Sequence, residues 1–136
     1  MDLNKDEKSQ AITRKEVLEI LANTKDLRKM DMRKSTLHKV DFSGCDLRSC
    51  NFSYASLKDC SFRGADLRDA SLWNANVEGS DFTGADMEGA DLDFAKMRGA
   101  VLRSANLRRT TLPTELVPRE DIVRSMREGS RIGYGR

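Results

Sequence analysis

The sequence predicts an all-β solenoid, and three observations carry that reading. From Leu27 to Leu112 a large apolar residue recurs every five positions, eighteen times without an insertion or deletion. Two residues before most of these centres stands a small residue, as at Cys45, Ala55, Ala65, Ser80 and Ala105. The position between is mostly Asp, Asn, Ser or Thr. A fixed period sustained over so many units marks a repeat architecture. Five fits neither the 3.6-residue turn of an α-helix nor the simple alternation of a long strand. Side chains two apart on an extended segment point the same way, so the small residue and the centre face inward together. The remaining three residues face outward or turn a corner.

In chain order, residues 1–12 begin with a polar, charged stretch and are expected to form a disordered leader with no secretory signal. Thr13-Arg14-Lys15-Glu16 matches a capping box, with Ile12 and Val17 placed as a hydrophobic staple. Val17, Leu18, Ile20 and Leu21 make a short apolar stripe. Residues 13–24 are therefore assigned to an N-terminal capping helix, too short to stand without docking. The repeat array fills 25–114. Pro113 and Pro118 then break the pattern. A second helix is expected from Arg119 to Glu128 within a capping segment over 115–129. Glu120 and Asp121 favour its start and Gly129 its end. Residues 130–136 are expected to be a flexible tail.

The units Ala65-Asp66-Leu67-Arg68-Asp69, Ala85-Asp86-Met87-Glu88-Gly89 and Ala90-Asp91-Leu92-Asp93-Phe94 resemble the A(D/N)LXX unit of the pentapeptide-repeat family. The resemblance implies a right-handed, four-sided β-helix with four units per coil, here about 4.5 coils. Residues 20 apart should then stack. Phe42, Phe62 and Phe82 are 20 apart, as are Gly44, Gly64 and Gly84, and Asp-Leu-Arg recurs at Asp26, Asp46 and Asp66. Four interior columns follow. The first holds Leu27, Leu47, Leu67, Met87 and Leu107, and the second Met32, Phe52, Leu72, Leu92 and Leu112. The third holds Leu37, Leu57, Val77 and Met97, and the fourth Phe42, Phe62, Phe82 and Leu102. The glycines two after a centre suit corners that need positive φ.

Composition limits function. The 136 residues allow one domain, and no apolar run approaches the length of a membrane span. A cytoplasmic protein is expected, with the nucleus as the alternative. Net charge is only +2, yet eight of the nine charged residues from Asp66 to Asp93 are acidic, between two basic ends. Cys45, Cys50 and Cys60 occupy small inward positions and read as core residues. With one histidine, His38, at an outward position, neither a metal site nor a catalytic constellation is expected, and no cofactor. The Asp column at 26, 46, 66 and 86 reads as a product of the repeat, offset by Arg28, Arg48 and Arg68.

Tyr54, Trp73 and Phe94 are outward aromatics that follow centres of the second column, which places them on one face or its corner. Such residues anchor interfaces more often than others. They are the candidate partner-binding face of a non-enzymatic protein–protein interaction scaffold. The family resemblance implies one finer version, the partner- or substrate-binding module of a BTB/cullin-type ubiquitin ligase adaptor, of which this chain would be a fragment. It implies another, a DNA mimic that binds a type II topoisomerase, which the net charge disfavours. Direct nucleic-acid binding is disfavoured because no aromatic platform coincides with the basic ends. A monomer is favoured over a dimer, both ends being capped. Ala85→Leu is expected to overpack the interior and destabilise by about 1–3 kcal/mol, read by thermal melting.

Overall fold

Each five-residue unit closes a tight turn on itself. The computed structural model describes residues 10–133. In it the N–H three after a centre donates to the carbonyl of that centre, as from Cys45 to Phe42 and from Ala65 to Phe62, at 3.1 and 3.0 Å. Every residue two after a centre, from Lys29 to Arg109, has a positive φ between 53° and 80°. Six of these seventeen are glycine and eleven are not. The corner geometry therefore holds whether or not the side chain suits it.

Turn follows turn until the chain returns over itself after 20 residues. Parallel bridges link Asp26, Asp46, Asp66, Asp86 and Asn106 in one ladder and Asp31, Asn51, Ser71, Asp91 and Thr111 in the next. Two further ladders run from Thr36 to Lys96 and from Asp41 to Val101. These four ladders are the faces of a β-helix. The unit at 46–50 shows how its backbone donors are satisfied. Asp46 donates back to Lys25, Leu47 and Ser49 donate forward to Asp66 and Arg68, and Cys50 closes the turn. That leaves the Arg48 N–H, which donates to Oδ1 of Asp46 at 3.3 Å. The same side-chain acceptor recurs at Asp41, Asn51, Asp66, Asn76 and Asp91. It gives a physical reason for Asp, Asn, Ser or Thr before the centre, because a backbone donor left without a partner is costly.

The interior is filled by the centres. Phe42, Phe62 and Phe82 stack nearly parallel at 5.2 and 4.9 Å, and Phe52 meets two of them edge-on. The centres from Leu27 to Leu102 are buried. Leu107, expected in the core, is only partly buried, as is Leu112. Both belong to the last units of the array, where no further coil stacks above them. Three of the small inward positions that carry a polar hydrogen donate it to the backbone. Cys50, Cys60 and Ser80 reach the carbonyls of Leu27, Leu37 and Leu57 at 2.6–2.8 Å. Burial pushes the Cys50 and Cys60 thiols up to about 11, so they stay protonated.

Two helices meet the ends. Helix α1, Arg14–Leu21, starts at Thr13 with a reciprocal capping box to Glu16 and buries Val17. Its Arg14 guanidinium donates to the His38 carbonyl of the first coil at 2.8 Å. Helix α2, Arg119–Glu128, ends at Gly129 with φ 75°. It supplies acceptors that the next coil would otherwise provide. Leu102 N–H donates to Oγ of the fully buried Ser125 at 2.8 Å, and Ser104 N–H to the Met126 carbonyl at 3.1 Å.

The tail expected to be flexible from residue 130 is not so at its start. Ile132 is buried, accepts from Gly99 N–H and donates to the Ala100 carbonyl, which extends the upper edge as a strand would. Residues 134–136 and 1–9, the rest of the expected tail and most of the expected leader, lie outside the described residues. Among the described residues no helix is long and apolar enough to cross a membrane. Ser125→Ala leaves the buried Leu102 N–H without an acceptor and is expected to cost about 1–3 kcal/mol in denaturant unfolding, whereas Ser125→Thr should retain most of the stability.

Candidate protein-interaction face

The four faces differ chemically, and the first is neutralised from within. Its outward residues begin with the column Asp26, Asp46, Asp66 and Asp86. Each of Arg28, Arg48 and Arg68 pairs with the Asp two residues before it at 2.6–2.8 Å. Each also reaches the Asp of the following coil at 3.7–3.8 Å. The hydrogen bond from Arg48 holds the Asp46 carboxyl well down, to about 2 from an ordinary 3.8. Elsewhere Arg63 pairs with Asp81 at 2.8 Å, and Arg109 reaches back to Glu88. Half of the acidic waist is thus neutralised in space by arginines that the linear sequence places in other coils.

The second face, over the Met32–Phe52–Leu72–Leu92 column, carries the three aromatics, and the structure brings all of them together. Tyr54 and Trp73 pack edge-to-face with ring centroids 5.2 Å apart at 78°. Trp73 and Phe94 do the same at 5.7 Å and 81°. Trp73 is half-buried between its neighbours, while Tyr54 and Phe94 are 52% and 48% exposed. The result is a ladder of rings climbing three coils along one corner. Edge-to-face pairs of this kind are favourable beyond the area they bury.

Tyr54 and Phe94 also sit at corner positions with φ 62° and 60°. For a residue with a Cβ this conformation costs roughly 1–2 kcal/mol relative to the right-handed region. The corner after the fourth column meets the same demand with Gly44, Gly64 and Gly84. Along the aromatic corner stand Lys34, Tyr54, Asn74 and Phe94, with no glycine. The fold does not require large rings there, and their strain is an unforced feature of this face.

Sequence reasoning found the aromatic column but missed two things. One is the acceptor role of the residue before each centre, whose signal is its restriction to Asp, Asn, Ser and Thr at every unit from Asp26 to Asp91. The other is the division of the acidic waist. Asp69, Glu78, Asp91 and Asp93 make no ion pair among the described residues, whereas Asp66, Asp81, Asp86 and Glu88 do. His38, exposed as expected, shares a hydrogen bond with Ser56 Oγ at 2.6 Å.

The Asp46 carboxyl is lower in the folded chain than in the unfolded one. The stability it contributes is complete above the ordinary carboxylate range and is lost as pH falls from about 4 through about 2. Asp46→Asn keeps the acceptor for Arg48 N–H but removes the charge. It should flatten that acid limb in melts taken between these pH values. Asp46→Ala also loses the acceptor and should cost about 1 kcal/mol more than Asp46→Asn at neutral pH.

Comparison with known proteins agrees with this architecture. A sequence model described as the pentapeptide repeat region matches residues 26–112. No match emerged among curated proteins. Among solved structures, the chain is similar to a pentapeptide repeat protein of the Arabidopsis thaliana thylakoid lumen, with 36% identity and a TM-score of 0.58. That alignment covers 59% of this chain and 55% of the other, so the chain spans little more than half the length of that protein. It is also similar to a pentapeptide repeat protein from Nostoc PCC 7120, at 26% identity and a TM-score of 0.64, over 87% of this chain and 97% of the other. With the five-residue register, the 20-residue ladders and the match across the array all in agreement, the chain belongs to the pentapeptide repeat family.

Proposed function

We propose that this protein is a non-enzymatic scaffold that binds a protein partner through its second face, with Tyr54, Trp73 and Phe94 at the centre of the contact. The observation that carries the reading is the aromatic ladder itself. Two of its three rings are about half exposed, and those two stand in strained corner positions that glycine fills elsewhere. Large aromatics are over-represented among the few residues that dominate binding energy at interfaces. A β-helix face is also rigid, so little ordering cost attends its binding.

The finer version of this reading is an adaptor of the BTB/cullin type, in which the array holds a substrate or partner. Co-purification of the full-length gene product with a cullin checks it. The alternative, mimicry of DNA toward a type II topoisomerase, calls for unbroken columns of negative charge. The alternation of Arg28, Arg48 and Arg68 with the Asp column works against it. Both array ends are engaged by helices, which favours a monomer, measurable by light scattering.

The decisive variant is Trp73→Ala. Removal of the middle ring should weaken capture of the cognate partner by about tenfold to a hundredfold, the range of an interface hot spot. Thermal melting should stay within a few degrees of the parent, since Leu72 and the ladder hydrogen bonds remain. Equal capture by both forms, with equal stability, would remove the aromatic face from the proposal.

A further inference from the structure

We infer that the second face takes a basic, extended segment of a partner protein, an inference that rests on the binding role proposed for its aromatic ladder. The charge distribution around the rings carries it. Asp91 and Asp93 lie on the outward side of this face in the same coil as Phe94, and Asp69 lies at its opposite corner. None of the three has an Arg or Lys partner among the described residues. On the first face the equivalent carboxylates are already held by Arg28, Arg48 and Arg68. A cation arriving there would have to displace a guanidinium. On the second face Asp31, at its lower end, is likewise held by Arg33, but a cation arriving beside the rings meets Asp91 and Asp93 without a counter-ion.

Geometry places those carboxylates beside the rings. Asp93 occupies the column position of Trp73 one coil on, about 4.8 Å away along the ladder. Asp91 Oδ1 accepts from the Asp93 N–H at 2.9 Å, and Asp93 Oδ1 accepts from the Phe94 N–H at 3.1 Å. Each carboxylate is thereby fixed through one oxygen, and the other is left for an outside donor. Exposed aromatic faces attract guanidinium and ammonium groups, and carboxylates close by add charge-assisted hydrogen bonds. The ladder climbs two coil spacings, about 10 Å, the length of three or four extended residues. Arginine suits this surface better than lysine, because its planar group stacks on a ring and forks to a carboxylate.

The test uses the whole chain and three short synthetic peptides of equal length, alternating Arg-Gly, Glu-Gly or Leu-Gly. Trp73 is the only tryptophan and reports binding by its fluorescence. The Arg-Gly peptide should bind at least about tenfold more tightly than the other two. Its affinity should fall several-fold as salt rises from about 50 to about 300 mM. The double variant Asp91→Asn, Asp93→Asn should lose most of that preference with unchanged melting, because Asn51 and Asn76 already serve as the same backbone acceptors. Failure of the Arg-Gly peptide to bind, or its equal binding by the double variant, overturns the basic-segment inference. If the Leu-Gly peptide binds best and Tyr54→Ala abolishes that binding, the aromatic face stands and its occupant is apolar. If Tyr54→Ala alters binding of none of the peptides, the reading of the aromatic face itself fails.

Discussion

The molecule depends on satisfying five backbone donors in every five residues. In the unit at 46–50, three N–H groups bond to neighbouring coils, one closes the turn, and the last is accepted by the side chain before the centre. Where the side chain before the centre accepts, as in this unit, the scheme is complete, and coils of 20 residues stack in register. Because it is local, each coil needs only the one before and the one after. The stacked phenylalanines and the inward alanines fit inside a frame that the hydrogen bonds already define. This division explains how thiols and a serine replace alanine at Cys50, Cys60 and Ser80. Each gives its hydrogen to a carbonyl inside the frame and leaves no polar atom stranded.

Much of this was legible in the sequence because the constraint is periodic. The inward residues are read from their period alone, and the stacking of Phe42 on Phe62 and Phe82 follows from the interval of 20. The ends were less legible. Nothing in the pattern announced that Ile132 would pair with Gly99 and Ala100, since its role is set by the edge it meets and not by its neighbours in the chain. Leu107 was misplaced for the converse reason. Its position in the period is that of a core residue, but no further coil stacks above it, and it is only partly buried against the core. The aromatic face was legible as a column. Its strain was not, because the sequence gives no φ and a phenylalanine at a corner looks like any other outward residue.

Surface charge shows a second gap between chain order and space. The stretch from Asp66 to Asp93 is almost wholly acidic when read along the chain. Folding turns sequence distance into stacking, so Arg48 meets Asp66, Arg63 meets Asp81 and Arg109 meets Glu88. The acidic waist survives at Asp69, Glu78, Asp91 and Asp93, which make no ion pair among the described residues. The carboxylates of the first face are thus paired within the molecule, whereas on the second Asp31 is held by Arg33 and Asp91 and Asp93 are open to a partner.

The engagement of Ser125, Met126 and Ile132 with the upper edge has a consequence for assembly. A solenoid with a bare edge is a template: its row of unpaired N–H and C=O groups invites another copy to add the next coil, and growth has no natural stop. Here one hydroxyl, two carbonyls and one amide of the C-terminal segment stand where a further coil would supply partners. The edge is therefore occupied from within the chain at Gly99, Ala100, Leu102 and Ser104, and a neighbouring molecule finds no free backbone N–H groups there.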